Sequence, residues 1–261
     1  MRLEPRALLG WTIIAVAGAV AAAAPWIATH DPTQTGVMFL RGPSAVHLLG
    51  TDELGRDIFS RLVFGARTSL AIGFGASIVA TVLGVPIGLM AGYVGGRLDL
   101  ALVQLIDLFI ALPSLVLALI ITAMVGPSMQ NLVLILGFVM WPTVARLVRG
   151  QALAVRTSVF VEAAVAVGGT STWIIQRHIW PNIRRVVAAQ FAITVAFAIF
   201  TSASLSFLGL GIPPPTPDWG GMVRGGFSYL ALNPVMSLAP GAAVAASVLG
   251  FYLVGSSGEE R

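Results

Sequence analysis

Long uncharged stretches alternate along the chain with short polar segments that hold nearly all of the Arg, Asp and Glu. Residues 7–29 form the first uncharged run, behind Arg2 and Arg6, and match the length of a helix that crosses a bilayer. A secretory signal peptide is the rival reading, because the alanines before Pro25 offer small residues at a cleavage site. The run exceeds a usual signal core and more spans come after it, so it is read as a retained first span. Residues 68–96 predict a second span, kinked at Pro86. Residues 97–125 predict a third, bent at Pro113. Residues 131–145 predict a fourth, interrupted by Pro142, with residues 186–211 and 235–254 as the fifth and sixth. The expected class is therefore an all-α integral membrane protein with six transmembrane helices. Its expected divisions are residues 1–28 (N-terminal segment and first span), 29–67 (connecting segment), 68–254 (five-helix core) and 255–261 (tail).

The longest break in the apolar pattern of the second half is 157–182, TSVFVEAAVAVGGTSTWIIQRHIWPN. It reads as two short helices joined at Gly168-Gly169, with Ser158 capping the first and Thr170 or Ser171 capping the second. Pro181 ends the second helix or opens the fifth span. On the first helix Val159, Phe160, Ala163, Ala164 and Val167 share one arc. Glu162 lies nearly opposite, flanked by Val161 and Val165. A helix facing water would carry more charge; one apolar nearly all round with a lone carboxylate suggests docking into a second protein. The alternative is a helix lying on the membrane surface.

Glu162-Ala163-Ala164, then Gly168, then Ile179-Trp180-Pro181 resembles the EAA loop of ABC importer permeases. GGTSTWIIQRHIWPN, HLLGTDELGRDIFSRLVFGAR, DLFIALPSLVLALI and LSFLGLGIPPPTPDWGGM resemble the dipeptide, oligopeptide and nickel branch of that family, and the likeness covers residues 47–254. Trp180 stands where the family usually has Leu, and the tail GSSGEER departs from the family's longer ending. The resemblance implies the type I importer permease fold. It also implies that Glu162, Ala163, Ala164, Gly168, Val161 and Val165 form a cytoplasmic coupling helix seated in a groove of an ATPase subunit. The partners implied are a homologous second permease, two ATPase subunits that bind ATP and Mg, and an extracytoplasmic binding protein. The implied substrates are dipeptides or short peptides, with nickel or glutathione as the alternative. The implied location is a bacterial cell membrane, multi-pass, with both termini cytoplasmic.

Composition narrows the chemistry. The chain has 261 residues, 57% of them hydrophobic and 10% charged, with a mean hydropathy of +0.90. There is no Cys, which excludes disulfides and thiolate metal sites. There is also no Lys, so a GxxxxGK phosphate loop is impossible and nucleotide hydrolysis by that route needs another subunit. The net charge of +4 reflects loop arginines at membrane surfaces rather than a nucleic-acid patch. The arginines sort by side: Arg2, Arg6, Arg97, Arg146, Arg149, Arg156, Arg177, Arg184, Arg185 and Arg261 flank the 157–182 side, whereas Arg41, Arg56, Arg61, Arg67 and Arg224 flank the other. By the positive-inside rule the 157–182 loop faces the cytoplasm.

Further candidates are weaker. Ala76, Ala80, Gly84, Gly88, Gly92 and Gly96 recur every four residues, a small-residue face for close helix packing, within the chain or against a second permease. Asp52, Glu53 and Asp57 lack a calcium-loop spacing and are expected to pair with Arg56 and Arg61; no metal site is expected. Asp107 is expected to cap a helix or pair with an arginine such as Arg97. Ser202, Ser204 and Ser206 either line a polar pathway or bond back to their own helix. Pro214, Asp218 and Trp219 are expected on an outer loop that either contacts a binding protein or is an inert surface cap, with Trp219 and Tyr229 at headgroup level. An intramembrane hydrolase is disfavoured because His30, His47 and His178 all fall in loops. A solitary secondary transporter is disfavoured for want of mid-membrane carboxylates.

Overall fold

The structure is a computed structural model that describes residues 5–259; Arg2 and Arg261 lie outside the described residues. Among the described residues ten α-helices carry the fold: α1 (Pro5–Ile27), α2 (Ile58–Val94), α3 (Gly96–Ile110), α4 (Ser114–Val125), α5 (Met129–Arg156), α6 (Val159–Ala166), α7 (Ser171–Ile174), α8 (Trp180–Phe207), α9 (Trp219–Phe227) and α10 (Val235–Glu259). A π-helical turn, Ile175–Ile179, makes α7 continuous with α8. Among the described residues five helical stretches are long and apolar enough to cross a membrane: α1, α2, α5, α7–α8 and α10. The expected third span is a broken pair, α3 and α4, bent by 80° where Pro113 lies.

Several boundaries differ from those the charge pattern predicts. The second span begins at Ile58, inside the expected connecting segment, because Asp57 caps it and accepts a hydrogen bond from the Ser60 amide. Pro142 does not interrupt the fourth span. It is buried inside α5, whose packing on α2 outweighs the backbone hydrogen bond the ring removes. α5 therefore continues to Arg156 and carries Arg146 and Arg149 on a helix rather than in a loop. The second short helix of the 157–182 loop is the first turn of the long α7–α8 rod, and Pro181 sits in the first turn of α8 without breaking it. Residues 255–259 extend α10 rather than forming a separate tail.

The centre of the fold is the pairing of α2 with α5. Ala76, Ala80, Gly84, Gly88 and Gly92 of α2 are all buried. A Cβ at Gly84 would lie 2.8 Å from the Trp141 carbonyl oxygen, at Gly88 2.5 Å from that of Ala145, and at Gly92 2.7 Å from the Ala152 Cβ. The stripe thus lets two backbones of the same chain touch, the internal reading of the two. Gly96 does not join it: nothing lies within 4 Å of its Cβ position.

The 37 residues of α2 span about 55 Å, so its ends lie on opposite sides of the bundle. Near its C-terminus, Gly95 approaches the Arg156 guanidinium at the end of α5, next to α6. The start of α1, the start of α8 and the end of α10 share one cavity, lined by Ala7, Arg185 and Ser257. At the other end of α2, Thr29 hydrogen-bonds Asp57, and the Trp219 indole donates to the Leu62 carbonyl at 2.9 Å.

Candidate functional site

α6 is an elbow between α5 and the α7–α8 rod. Ser158 is its N-cap by backbone geometry, but its side chain makes no capping hydrogen bond. The Ser158 carbonyl accepts from the Val161 and Glu162 amides at 2.9 and 3.1 Å. At the far end the Gly169 amide donates to the Ala164 carbonyl at 3.0 Å and the Gly168 amide to that of Val165 at 2.9 Å, the Schellman pattern. That closure places Gly168 at φ +86°, where a side chain is strained, and a Cβ at Gly169 would lie 2.7 Å from the Ala164 oxygen. The glycine pair is therefore required by the turn. Thr170, not Ser171, caps α7, accepting from the Trp173 amide at 3.4 Å.

Two side chains seat α6 on its own chain. Val161 is 1% exposed and Ala164 6%, and both join the core with Ile174, Ile179 and Ile183. This corrects the expectation that Val161 and Ala164 lie on a docking surface: at positions i and i+3 they share the inward face. Glu162, Ala163 and Gly168 are exposed, as are Val165 at 54%, Val159 at 80% and Val167 at 82%. Phe160 is also exposed. A cleft of about 620 Å³ separates this face from the ends of α2 and α5; Tyr93, Arg156, Glu162 and Val165 line it. Arg156 sits 5.9 Å from the Tyr93 ring centroid. The elbow thus exposes an apolar face around one carboxylate, on a short helix capped at its C-terminal end by the glycine turn and anchored to the core by two residues.

The arginines of α5 brace the same end. Arg149 holds Asp99 of α3 through two hydrogen bonds, 2.6 and 2.8 Å, and Arg146 pairs with Asp107. The partner of Asp107 is therefore Arg146, not Arg97, because the extended α5 carries Arg146 beside α3.

At the opposite end, several expected contact residues prove to be structural. Asp218 and Trp219 are buried. The Asp218 carboxylate caps α9 through the Gly221 amide, and the Trp219 amide donates to Ser69 Oγ at 3.3 Å. They serve the fold rather than an outer surface or a headgroup belt, and only Pro214 of that trio is exposed. Burial pushes the Asp218 carboxyl above the ordinary carboxylate range against the opposing hydrogen bonds and the charge of Arg61. Ser204 donates back to the Phe200 carbonyl at 2.9 Å and Ser202 is buried. Ser206 is buried too, at the edge of a cavity of about 480 Å³ lined by Arg56, Arg61, Asp218 and Arg224.

Asp52 and Glu53 pair with Arg56 at 2.7 and 3.2 Å, and Asp52 with Arg61 at 3.5 Å, as expected. Asp57 does not: it turns to His47 Nδ1 at 3.0 Å and to Ser60. Burial alone would raise the Asp57 carboxyl, but hydrogen bonds from Ser60 and His47 and the proximity of His30 hold it below the ordinary range. The sequence offers no signal for this convergence, since His30 and His47 stand 17 residues apart in the irregular segment between α1 and α2.

A family model described as a binding-protein-dependent transport system inner membrane component matches residues 84–257. The chain is 38% identical over 250 residues to the dipeptide transport system permease protein DppC of Alkalihalophilus pseudofirmus, a match covering 95% of this chain and 82% of that protein. It is 38% identical over 232 residues to the probable D,D-dipeptide transport system permease protein DdpC of Escherichia coli, covering 88% and 78%. It is 39% identical over 214 residues to the glutathione transport system permease protein GsiD of Pectobacterium atrosepticum, covering 82% and 71%. Among solved structures, an inward-facing form of the MetNI methionine ABC transporter matches with a TM-score of 0.65 at 20% identity, covering 78% of this chain and 95% of that one. At that identity the likeness speaks to the fold alone.

Proposed function

Since the chain belongs to the family of inner membrane components of binding-protein-dependent transport systems, as a non-catalytic multi-pass permease subunit of an ATP-driven importer, we propose that it works by docking α6 into a separate ATPase. Glu162, Ala163, Val165 and the exposed Val159, Phe160 and Val167 are the docking surface; Val161 and Ala164 transmit its movement to the core. The observation that carries this reading is the exposed apolar face of α6 around Glu162, on a helix that Val161 and Ala164 seat against the core. Two such ATPases, holding ATP and Mg, would grip this chain and a homologous second permease. Their closure would swing the α6 elbows and, through the α7–α8 rod, switch a shared pathway between its two openings. An extracytoplasmic binding protein would deliver the substrate.

The α6 end of the bundle faces the cytoplasm in this reading. The arginines of α5, the α7–α8 rod and the start of α1 collect there, as the positive-inside rule requires, and the described ends of α1 and α10 share that side. The substrate class is short peptides. Relatives named for dipeptides, D,D-dipeptides and glutathione all act on small amide-linked amino acids. The test is uptake of a labelled dipeptide into proteoliposomes that hold this chain, its second permease and the ATPases, with the binding protein outside. Uptake that needs ATP and is lost without this chain is expected. Uptake by this chain alone without ATP would overturn the coupling role. Uptake of a metal ion to the exclusion of dipeptides and glutathione would overturn the substrate class.

A further inference from the structure

His30 lies just past α1, His47 in the loop before α2, and Asp57 is the α2 cap; the fold brings all three together at the end of α2 opposite α6. One ligand atom from each lies within 4.8 Å of the other two. Asp57 Oδ1 is 3.0 Å from His47 Nδ1 and 3.8 Å from His30 Nδ1. A tetrahedral ion with bonds of about 2.0–2.1 Å places its ligand atoms roughly 3.3–3.4 Å apart, so both distances need shifts of only a few tenths of an ångström. The two imidazole rings stack on each other, with centroids 4.6 Å apart.

The carboxylate is also oriented as a ligand. Asp57 Oδ2 is occupied by the Ser60 amide at 2.8 Å, Ser60 Oγ at 2.7 Å and Thr29 Oγ1 at 3.2 Å. Oδ1 meets only the imidazoles, and hydroxyl partners behind a carboxylate are what fix a metal-binding oxygen in place. A cavity of about 260 Å³, lined by His30, His47 and Asp57 together with Asp31 and Gln34, adjoins the cluster and leaves room for a water or a fourth donor.

We propose that His30, His47 and Asp57 bind a divalent transition-metal ion of the Zn²⁺ class. Two imidazole nitrogens and one carboxylate oxygen suit such an ion better than Ca²⁺ or Mg²⁺, which prefer oxygen donors. The ion would tie the end of α1 to the start of α2, a junction otherwise held by the Thr29 and His30 hydrogen bonds to Asp57 and Ser60. It would displace the Nδ1 proton that His47 otherwise shares with Asp57 and the contact of His30 Nδ1 with Thr29 Oγ1 at 3.0 Å.

The probe is Co²⁺, titrated into the assembled importer carrying no polyhistidine tag and no nucleotide, and read by the visible absorption of four-coordinate Co²⁺. One equivalent per copy of this chain, displaced by Zn²⁺, is expected. His30→Ala and His47→Ala should each weaken Co²⁺ binding at least about tenfold. Zn²⁺ should raise the apparent Tm of the wild-type complex over that in EDTA and leave the variants unmoved. If His47→Ala fails to assemble, His47→Gln, which keeps a donor for Asp57, replaces it. No absorption at stoichiometric Co²⁺, or absorption that survives in both histidine variants, overturns the proposal.

Discussion

Substituting Gly88 by Ala tests whether the small-residue stripe is the seam of the fold. The added Cβ would sit 2.5 Å from the Ala145 carbonyl oxygen and 2.7 Å from the Val148 Cβ. An ordinary carbon–oxygen contact is about 3.3 Å or longer, so α2 and α5 must separate by roughly 0.8 Å. One obstacle is backbone and the other is a Cβ, so no rotamer change relieves the clash. Overpacking of this kind costs about 1–3 kcal/mol, partly offset by the better helix propensity of Ala. Gly150→Ala on α5 is the control, since nothing lies within 4 Å of its Cβ position; it gains the same propensity with no clash. The two variants should therefore differ by the clash alone. For a chain of this size a 2 kcal/mol gap is roughly 4–8 °C in apparent Tm, measured on the purified protein in detergent. Gly88→Ala should melt lower, and Gly88→Val lower still. Equal melting of Gly88→Ala and Gly150→Ala would refute the argument that backbone approach at Gly88 holds α2 to α5.

Glu162→Arg should leave the chain in the membrane with unchanged thermal stability, because the side chain is exposed, yet reduce ATP-driven uptake; unchanged uptake would remove Glu162 from the docking surface. Trp219→Phe should cost about 1 kcal/mol through loss of the indole hydrogen bond to the Leu62 carbonyl, without altering affinity for a binding protein, as a thermal melt and a binding assay would report. Asp218 predicts a pH dependence. Its folded pKa lies above the unfolded one, so its contribution favours the fold below about pH 4 and is lost as pH rises through the folded value. At neutral pH Asp218→Asn, still a good N-cap, should be neutral or stabilising by thermal melt; a large loss would mean that the ionised form is required.

The charge-poor character of the spans makes five of the six expected ones legible as single long helical stretches, because a bilayer-length apolar run leaves few alternatives; the third is the broken pair α3 and α4. Their ends were less legible. Arg61 and Arg67 suggested a connecting segment, yet Asp57 caps a helix that carries both. Arg146 and Arg149 suggested a loop, yet both sit on α5 and meet Asp107 and Asp99, which no local pattern reveals. The elbow at α6 was legible through Gly168 and Gly169, whose turn geometry the residue type dictates. Which of its faces points outward was not, since Val161 and Val165 are alike in sequence and only packing distinguishes them. Trp219 and Asp218 looked like surface chemistry because they come after a proline run, but they close the fold against α2 and α9. His30, His47 and Asp57 converge only through the tertiary meeting of α1 with α2.

The chain has no Cys, so Val167→Cys creates a unique thiol on the exposed side of the elbow. In the assembled importer that thiol should cross-link to the ATPase subunit and resist a membrane-impermeant maleimide until the ATPase is stripped away. A thiol that stays freely reactive in the intact complex, or that is labelled from outside the cell, would contradict the docking of α6.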